Sequence, residues 1–434
     1  MTLERLANYG NIWPIVELNR SNQSELYDSR DVMSKPTSKL YVRVNLSVFN
    51  VREAISKLAD RGITAKRSVC EESIYLECEE HHADLDAFEN SRSRVVINPR
   101  AGEVALIGHN IMRSYLSLEP DLPQPITDPL PVVVHVGETV AASKKCYECY
   151  RRESEQDIEP LERPHEHVVA LGTKNPRYYV EMSGPWKDPI IYNNLPRYKF
   201  PAISKRDIFE IQTLPSIITS RLLAPEPGQT VVDACAGPGR KSMHIAELMK
   251  RSGKLYAFEI DYRRKTLIRE RARRFGIDLD NFMTVSTPDS SNERAIERIL
   301  KDAKADSVLI DPPCSSLGTR PKIFEPALLD KWKSVHALHV QRNILKAMSR
   351  FLMKGGRIVY STCTLDQAEN EMQIERFLSE KEGEFVLEEP RIAGVDLKPY
   401  ICKTEGQCKN KALKFLPKTH DSIGYFIAVL KKEE

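Results

Sequence analysis

The sequence predicts an α/β protein: a doubly wound parallel-sheet domain over residues 212–434, preceded by a small α+β module and a β-rich insertion. Three observations carry this expectation. From about residue 212 onward, strand-like and helix-like segments alternate, the order that builds a parallel sheet covered by helices on both faces. The first of these strands runs into a turn of small residues, Asp233-Ala234-Cys235-Ala236-Gly237-Pro238-Gly239-Arg240-Lys241, which opens a helix. Two further apolar runs, Leu309-Ile310-Asp311-Pro312-Pro313-Cys314 and Ile358-Val359-Tyr360-Ser361-Thr362-Cys363, climb through a buried strand and deliver a thiol at its carboxyl end. At 434 residues the chain is also too long for one compact core.

Taken in order, residues 230–234 read as the first strand of the doubly wound domain, followed by a helix over about 240–250. Residues 254–259 form the second strand and 262–275 its helix; 282–286 and 307–311 are the third and fourth strands. A helix over about 335–353 carries Val340, Ile344, Met348 and Leu352 at i, i+4 spacing and is closed by Gly355-Gly356. A fifth strand over 357–361, a helix over 367–378 and a buried strand over 425–430 complete the domain. Upstream, a strand over 39–45, a helix over 51–61 closed by Gly62 and a strand over 73–78 suit an α+β module across residues 1–94. Short segments at 94–98, 132–136, 167–171 and 178–182, punctuated by Gly and Pro, predict a β-rich domain across 95–185. Residues 153–164 form an exposed acidic loop, and the proline-rich stretch 186–211 is a connector completing the N-terminal module.

A net charge of +3 is nearly neutral, so any contact with nucleic acid must come from local basic surface. Arg263, Arg264, Lys265, Arg269, Arg271, Arg273 and Arg274 crowd one helix and could track phosphates, but they occur on nearly every face, which favours a solvated outer helix. The nine cysteines follow no regular framework, which fits free thiols in a reducing compartment, cytosol or nucleus. Neither a membrane span nor a secretory signal is expected. Cys146-x-x-Cys149 with His165 and His167 lacks a familiar finger spacing, and no metal is implied.

At the carboxyl edge of a parallel sheet, the glycine turn lets backbone approach a ligand, and the helix N-terminus favours a carboxylate or phosphate. Glu259, ending the second strand, is placed to bond ribose hydroxyls. The full Gly-x-Gly-x-x-Gly is absent, which favours a nucleoside cofactor over a dinucleotide; a tight strand-helix turn is the plainer alternative. Cys314 and Cys363 arrive at the same edge, where two thiols can share one pocket, or each can be a small buried hydrophobe. Residues 315–333, with Arg320, follow Cys314 and read as a lid with Arg320 near RNA.

Together these residues resemble the Sun family of S-adenosylmethionine-dependent RNA (cytosine-5) methyltransferases. The resemblance rests on Asp-x-Cys-Ala-x-Pro-Gly-x-Lys at 233–241, Asp-Pro-Pro-Cys at 311–314, Tyr-Ser-Thr-Cys-Thr at 360–364, Glu369-Asn370-Glu371, Gln212 and Asp421-Ser422-Ile423-Gly424-Tyr425-Phe426. It implies a Rossmann-like methyltransferase domain in which Cys363 is the nucleophile and Cys314 assists release. It also implies that Asp311 holds the cytosine edge and Lys241 positions the base. S-adenosylmethionine is then expected on Cys235, Ala236, Gly237, Pro238, Gly239, Arg240, Lys241, Glu259, Asp289 and Asp311. Gly237 stands where the family has alanine and Arg240 where it has glycine, and Pro288 takes the place of an adenine-contacting Asp that Asp289 can supply. The N-terminal module resembles the family's RNA-recognition-like (RRM-like) module, and the insertion a PUA domain. That insertion marks the member acting near the 3′ end of tRNA, so the expected partner is the tRNA acceptor stem, bound by a monomer, with no DNA and no membrane. A catalytically weak RNA-binding protein on the same scaffold is the competing expectation.

Overall fold

In the computed structural model the described residues are 32, 37–60, 62–77, 94–97, 131–136, 167–174, 191–193, 209–320 and 331–433. The strand expected over 178–182, the acidic loop over 153–164 and the Cys146/Cys149 pair lie outside them. The N-terminal module begins with β1 (Lys39–Val44), α1 (Val51–Ala59), β2 (Ala65–Arg67) and β3 (Ser73–Glu77). Asn50 and Glu53 cap α1 reciprocally, satisfying two otherwise orphaned N–H groups. Next come β4 (Arg94–Ile97), β5 (Pro131–Val136), β6 (His167–Lys174) and β7 (Ile191–Asn193), which pair in that order in a sheet of their own. Thus β7, inside the stretch expected to be connector, is the edge strand of this sheet. The chain then returns through β8 (Phe209–Ile211), which pairs antiparallel with β1 and completes a sheet of order β2-β3-β1-β8. Val42, Val44, Ala54, Leu58 and Ile74, all without exposed surface, form its core against α1.

The doubly wound domain follows as α2 (Leu214–Leu223), β9 (Thr230–Asp233), α3 (Arg240–Leu248), β10 (Lys254–Phe258), α4 (Tyr262–Arg274), β11 (Met283–Ser286), α5 (Glu293–Leu300), β12 (Ala305–Ile310), α6 (Lys331–Phe351), β13 (Leu352–Thr362), α7 (Glu371–Glu380), β14 (Phe385–Glu388), β15 (Ala412–Phe415) and β16 (Tyr425–Lys432). The sheet order is β11-β10-β9-β12-β13-β16-β14, with β15 also on β16. The strands from β11 to β13 are parallel, and β16 runs antiparallel to β13. Because side chains alternate along a strand, Val231, Leu255, Leu309 and Val359 pack with α2, α3 and α4, while Val232, Phe258, Val308 and Ile358 pack with α5, α6 and α7. The strand order reverses between β9 and β12, which opens a crevice at their carboxyl ends.

Gly355-Gly356 does not cap α6, contrary to expectation. Both glycines lie inside β13, where the pairing with β12 jumps from Ala305↔Leu352 to Ser307↔Arg357. A Cβ on Gly356 would lie 2.8 Å from the Asp306 carbonyl oxygen, so this close approach requires glycine.

Candidate active site

The crevice is a cleft of about 570 Å³ walled by the turn after β9, the ends of β10 and β11, and the segments after β12 and β13. The Cys314 and Cys363 Sγ atoms lie 3.4 Å apart, so the two strand-end thiols do meet. Asp311 and Lys241 stand beside them: Lys241 Nζ donates to Asp311 Oδ2 at 2.5 Å, and Ser361 Oγ and Tyr425 Oη donate to Asp311 Oδ1 at 3.1 and 3.4 Å. Three elements therefore converge on one carboxylate.

The thiols are electrostatically unlike. Cys314 is pushed well up, first by its hydrogen bond with Cys363 and then by burial. Cys363 is lowered, chiefly because Cys314 hydrogen-bonds its thiolate; Ser316 and the Lys241 ammonium help, against burial and the Asp311 charge. Burial would lower Lys241, but Asp311 and Tyr425 outweigh it and keep the ammonium protonated. Burial raises Asp233 to about 6, with Ser242 Oγ donating to it at 2.6 Å in partial compensation.

On the turn, Gly237 and Gly239 adopt φ of +55° and +88°, and a Cβ on Gly239 would press on Ile268 at 3.2 Å. Above Gly237 the space is open. Gly239 caps α3 without a side-chain bond, leaving the first N–H groups of the helix for a ligand. Glu259 is buried at the cleft wall, accepting from the Asp261 N–H at 2.9 Å. Pro288 and Asp289 both line the cleft, with Asp289 Oδ1 accepting from the Ser291 N–H and hydroxyl. Cys235 lies at the same wall with its thiol pushed well up by burial. An open cradle of small residues, free helix N–H groups and a buried carboxylate at the next strand end fit S-adenosylmethionine. Arg240 does not obstruct the turn: its Nε donates to Glu210 Oε1 on β8 at 3.0 Å.

Two expectations are corrected. Arg271 does not belong to a wholly solvated helix; it donates to the Pro238 carbonyl and pairs with Glu210 at 3.3 Å, pinning the turn from behind. The Arg320 side chain is 3% exposed and donates to Asp421 Oδ1 at 3.2 Å and to the carbonyls of Pro417 and Ser422, so it is an anchor rather than an RNA contact.

Sequence reasoning missed the work of Glu369-Asn370-Glu371. Glu369 accepts from the Ser315 N–H at 3.0 Å and from Gln341 Nε2 at 2.7 Å, while Gln341 Nε2 also reaches the Pro313 carbonyl at 2.9 Å. The peptides on either side of Cys314 are thus gripped by Gln341 from α6 and by Glu369 from the turn before α7. Asn370 likewise joins the Thr362 hydroxyl and the Thr364 carbonyl on either side of Cys363. Glu371 is paired with buried Lys414 at 2.6 Å. A glutamine inside the apolar stripe of α6 was the available signal for Gln341. Glu369→Ala leaves these donors buried and unpaired; we expect it to destabilise the fold by about 2 kcal/mol, read as a lower thermal midpoint by circular dichroism.

A doubly wound sheet with this turn, and a cleft at its switch point holding two thiols and a carboxylate, is the architecture of a Rossmann-like S-adenosylmethionine-dependent methyltransferase. Residues 220–431 match the family described as 16S rRNA methyltransferase RsmB/F, and the chain belongs to the Sun family of RNA cytosine-5 methyltransferases. It is 28% identical over 92% of its length to the tRNA (cytosine(72)-C(5))-methyltransferase of Pyrococcus horikoshii, spanning 91% of that protein. The crystal structure of NSun6 from the same organism, solved with an S-adenosylmethionine analogue, matches with a TM-score of 0.72 and 25% identity over 95% of each chain. Similarity to a probable ribosomal RNA small subunit methyltransferase B of Bacillus subtilis is 31% but covers 51% of this chain and 47% of that one. Human NSUN6 is 32% identical over 45% of this chain and 40% of its own length.

Proposed function

We propose that this protein methylates C5 of a cytosine near the 3′ acceptor end of tRNA, through a transient bond from Cys363 to cytosine C6. The observation that carries the tRNA assignment is the extent of the likeness: it runs through both halves of the chain for the Pyrococcus tRNA enzyme and is confined to about half of it for the Bacillus rRNA enzyme. Substrate choice then belongs to the N-terminal half. The β2-β3-β1-β8 sheet with α1 suits an RNA-recognition-like module, and the β4–β7 sheet suits a PUA-like one. RNA duplexes hide their base edges, so modules that grip an end can set the distance to a cytosine lifted from its stack.

Cytosine C5 is a weak nucleophile. Addition of the Cys363 thiolate at C6 moves the C5–C6 π electrons to C5, with Asp311 bonded to the N3 and N4 edge and Lys241 holding both base and carboxylate. The turn, Glu259 and Asp289 would hold S-adenosylmethionine, which when bound would supply the electrophilic methyl group and leave as a neutral thioether. Transfer of the C5 proton to solvent then restores the C5–C6 double bond and expels the Cys363 thiolate, with Cys314 assisting.

The test is transfer of label from S-adenosylmethionine to tRNA transcripts, with the product mapped by cytosine-methylation sequencing. Label is expected at an acceptor-end cytosine and lost when the 3′ end is trimmed. Binding of tRNA without any label would favour the competing non-catalytic role, and label only in ribosomal RNA would overturn the substrate.

A further inference from the structure

We propose that Ser316 is a further catalytic residue, whose hydroxyl bridges the two thiols and hydrogen-bonds the Cys363 thiolate. The Cys363 thiol donates to Ser316 Oγ at 3.5 Å, and Cys314 Sγ lies 3.9 Å from the same oxygen. Both separations lie within the longer range that sulfur requires. Among the described residues these sulfurs are the only side-chain hydrogen-bonding neighbours of that hydroxyl. A serine hydroxyl is donor and acceptor at once and rotates to suit. When Cys363 ionises, the hydroxyl therefore turns to donate to its sulfur, beside the Cys314 thiol that donates to the same thiolate.

The backbone supplies an independent reason. Ser316 has φ +57°, the left-handed region that favours glycine. This conformation is held from both sides. The Thr319 N–H and hydroxyl donate to the Ser316 carbonyl at 3.2 and 2.9 Å, and the Gly318 N–H donates to the Cys363 carbonyl at 2.9 Å. Gly318 in turn is packed so tightly that a Cβ would lie 2.1 Å from the Gly424 carbonyl oxygen. The turn cannot relax to suit a side chain at 316, yet a side chain is present and its one polar atom faces both sulfurs. Backbone strain of this kind, in a residue facing the reacting atom, marks a functional constraint. The direction of the Cys363 shift agrees, since Ser316 helps to lower it.

This inference rests on the thiol chemistry proposed above, but its test does not need RNA. The rate of Cys363 alkylation by iodoacetamide, followed by mass spectrometry across pH, reads the thiolate directly. In both Ser316→Ala and Ser316→Gly the midpoint should rise by about half to one pH unit, and at a pH below it kcat/KM with tRNA should fall by about three- to tenfold. Ser316→Gly should at the same time raise the thermal midpoint by relieving the left-handed backbone, so lost activity cannot be ascribed to lost folding. An unchanged alkylation midpoint in both variants overturns the proposal. So does a shift in the alanine variant alone, since that would trace the effect to the backbone. Failure of the wild-type protein to label any tRNA, with the alkylation shift intact, would instead count against the function proposed above.

Discussion

Replacing Cys314 with alanine is expected to leave a protein–RNA adduct that survives denaturing electrophoresis, whereas Cys363→Ala should give neither adduct nor methylated cytosine. The two thiols differ in electrostatics as much as in position. The sulfurs are 3.4 Å apart, close enough for either to serve one cytosine, but only Cys363 is biased toward thiolate. Cys314 is held as the protonated partner that stabilises it. Loss of the nucleophile should lower turnover by on the order of 10⁴-fold or more. Loss of the assisting group should cost about 10²- to 10⁴-fold in product release while bond formation persists, so adduct accumulates.

The pH dependence follows from the same shift. The reactive form is the deprotonated one, so adduct formation should rise with pH and level off above the Cys363 pKa. Because that pKa is lowered, the rise should come at a lower pH than for an ordinary thiol. Cys314→Ala removes the largest lowering contribution, so its adduct formation should need a higher pH even as the adduct itself persists. An adduct in the Cys363→Ala variant and none in Cys314→Ala would exchange the two roles.

How far the chain could be read from its residues depended on where each residue's partners lie. The parallel strands were legible because their apolar runs are local, and the switch-point thiols because each sits one motif beyond such a run. The sequence pattern missed β14 and β15, which are short and owe their place to pairing with β16. Gly355-Gly356 looked like a helix stop because the backbone it must clear, Asp306, lies on another strand. Arg271 and Arg320 looked like surface charges for the same reason, since Glu210 and Asp421 are distant in sequence. Lys241 and Asp311 were paired only through the family resemblance; the fold supplies the contact itself.

Arg43→Met is expected to be the most destabilising substitution between the N-terminal sheet and the catalytic domain. Arg43 on β1 has no exposed surface, yet its Nε donates to Gln212 Oε1 at 3.0 Å, its Nη1 pairs with Glu247 on α3, and its guanidinium lies 5.8 Å from the Phe275 ring. Gln212 lines the cofactor cleft, so the same side chain ties module, cleft wall and helix together. Removing the cation leaves Glu247 buried without its charge partner, which should cost about 3–5 kcal/mol. Lysine should not rescue it, because one ammonium cannot reproduce the guanidinium's bonds to two residues. Burial already raises Glu247 despite Arg43, and without Arg43 it rises further. The folded variant then binds a proton that the unfolded chain has released, so its stability should fall as pH rises above the ordinary carboxylate range and recover toward pH about 5. Denaturant melts of Arg43→Met, Glu247→Gln and the double variant at two pH values would measure the coupling. If the double variant is no more stable than Arg43→Met at neutral pH, the buried carboxylate is not the source of the loss.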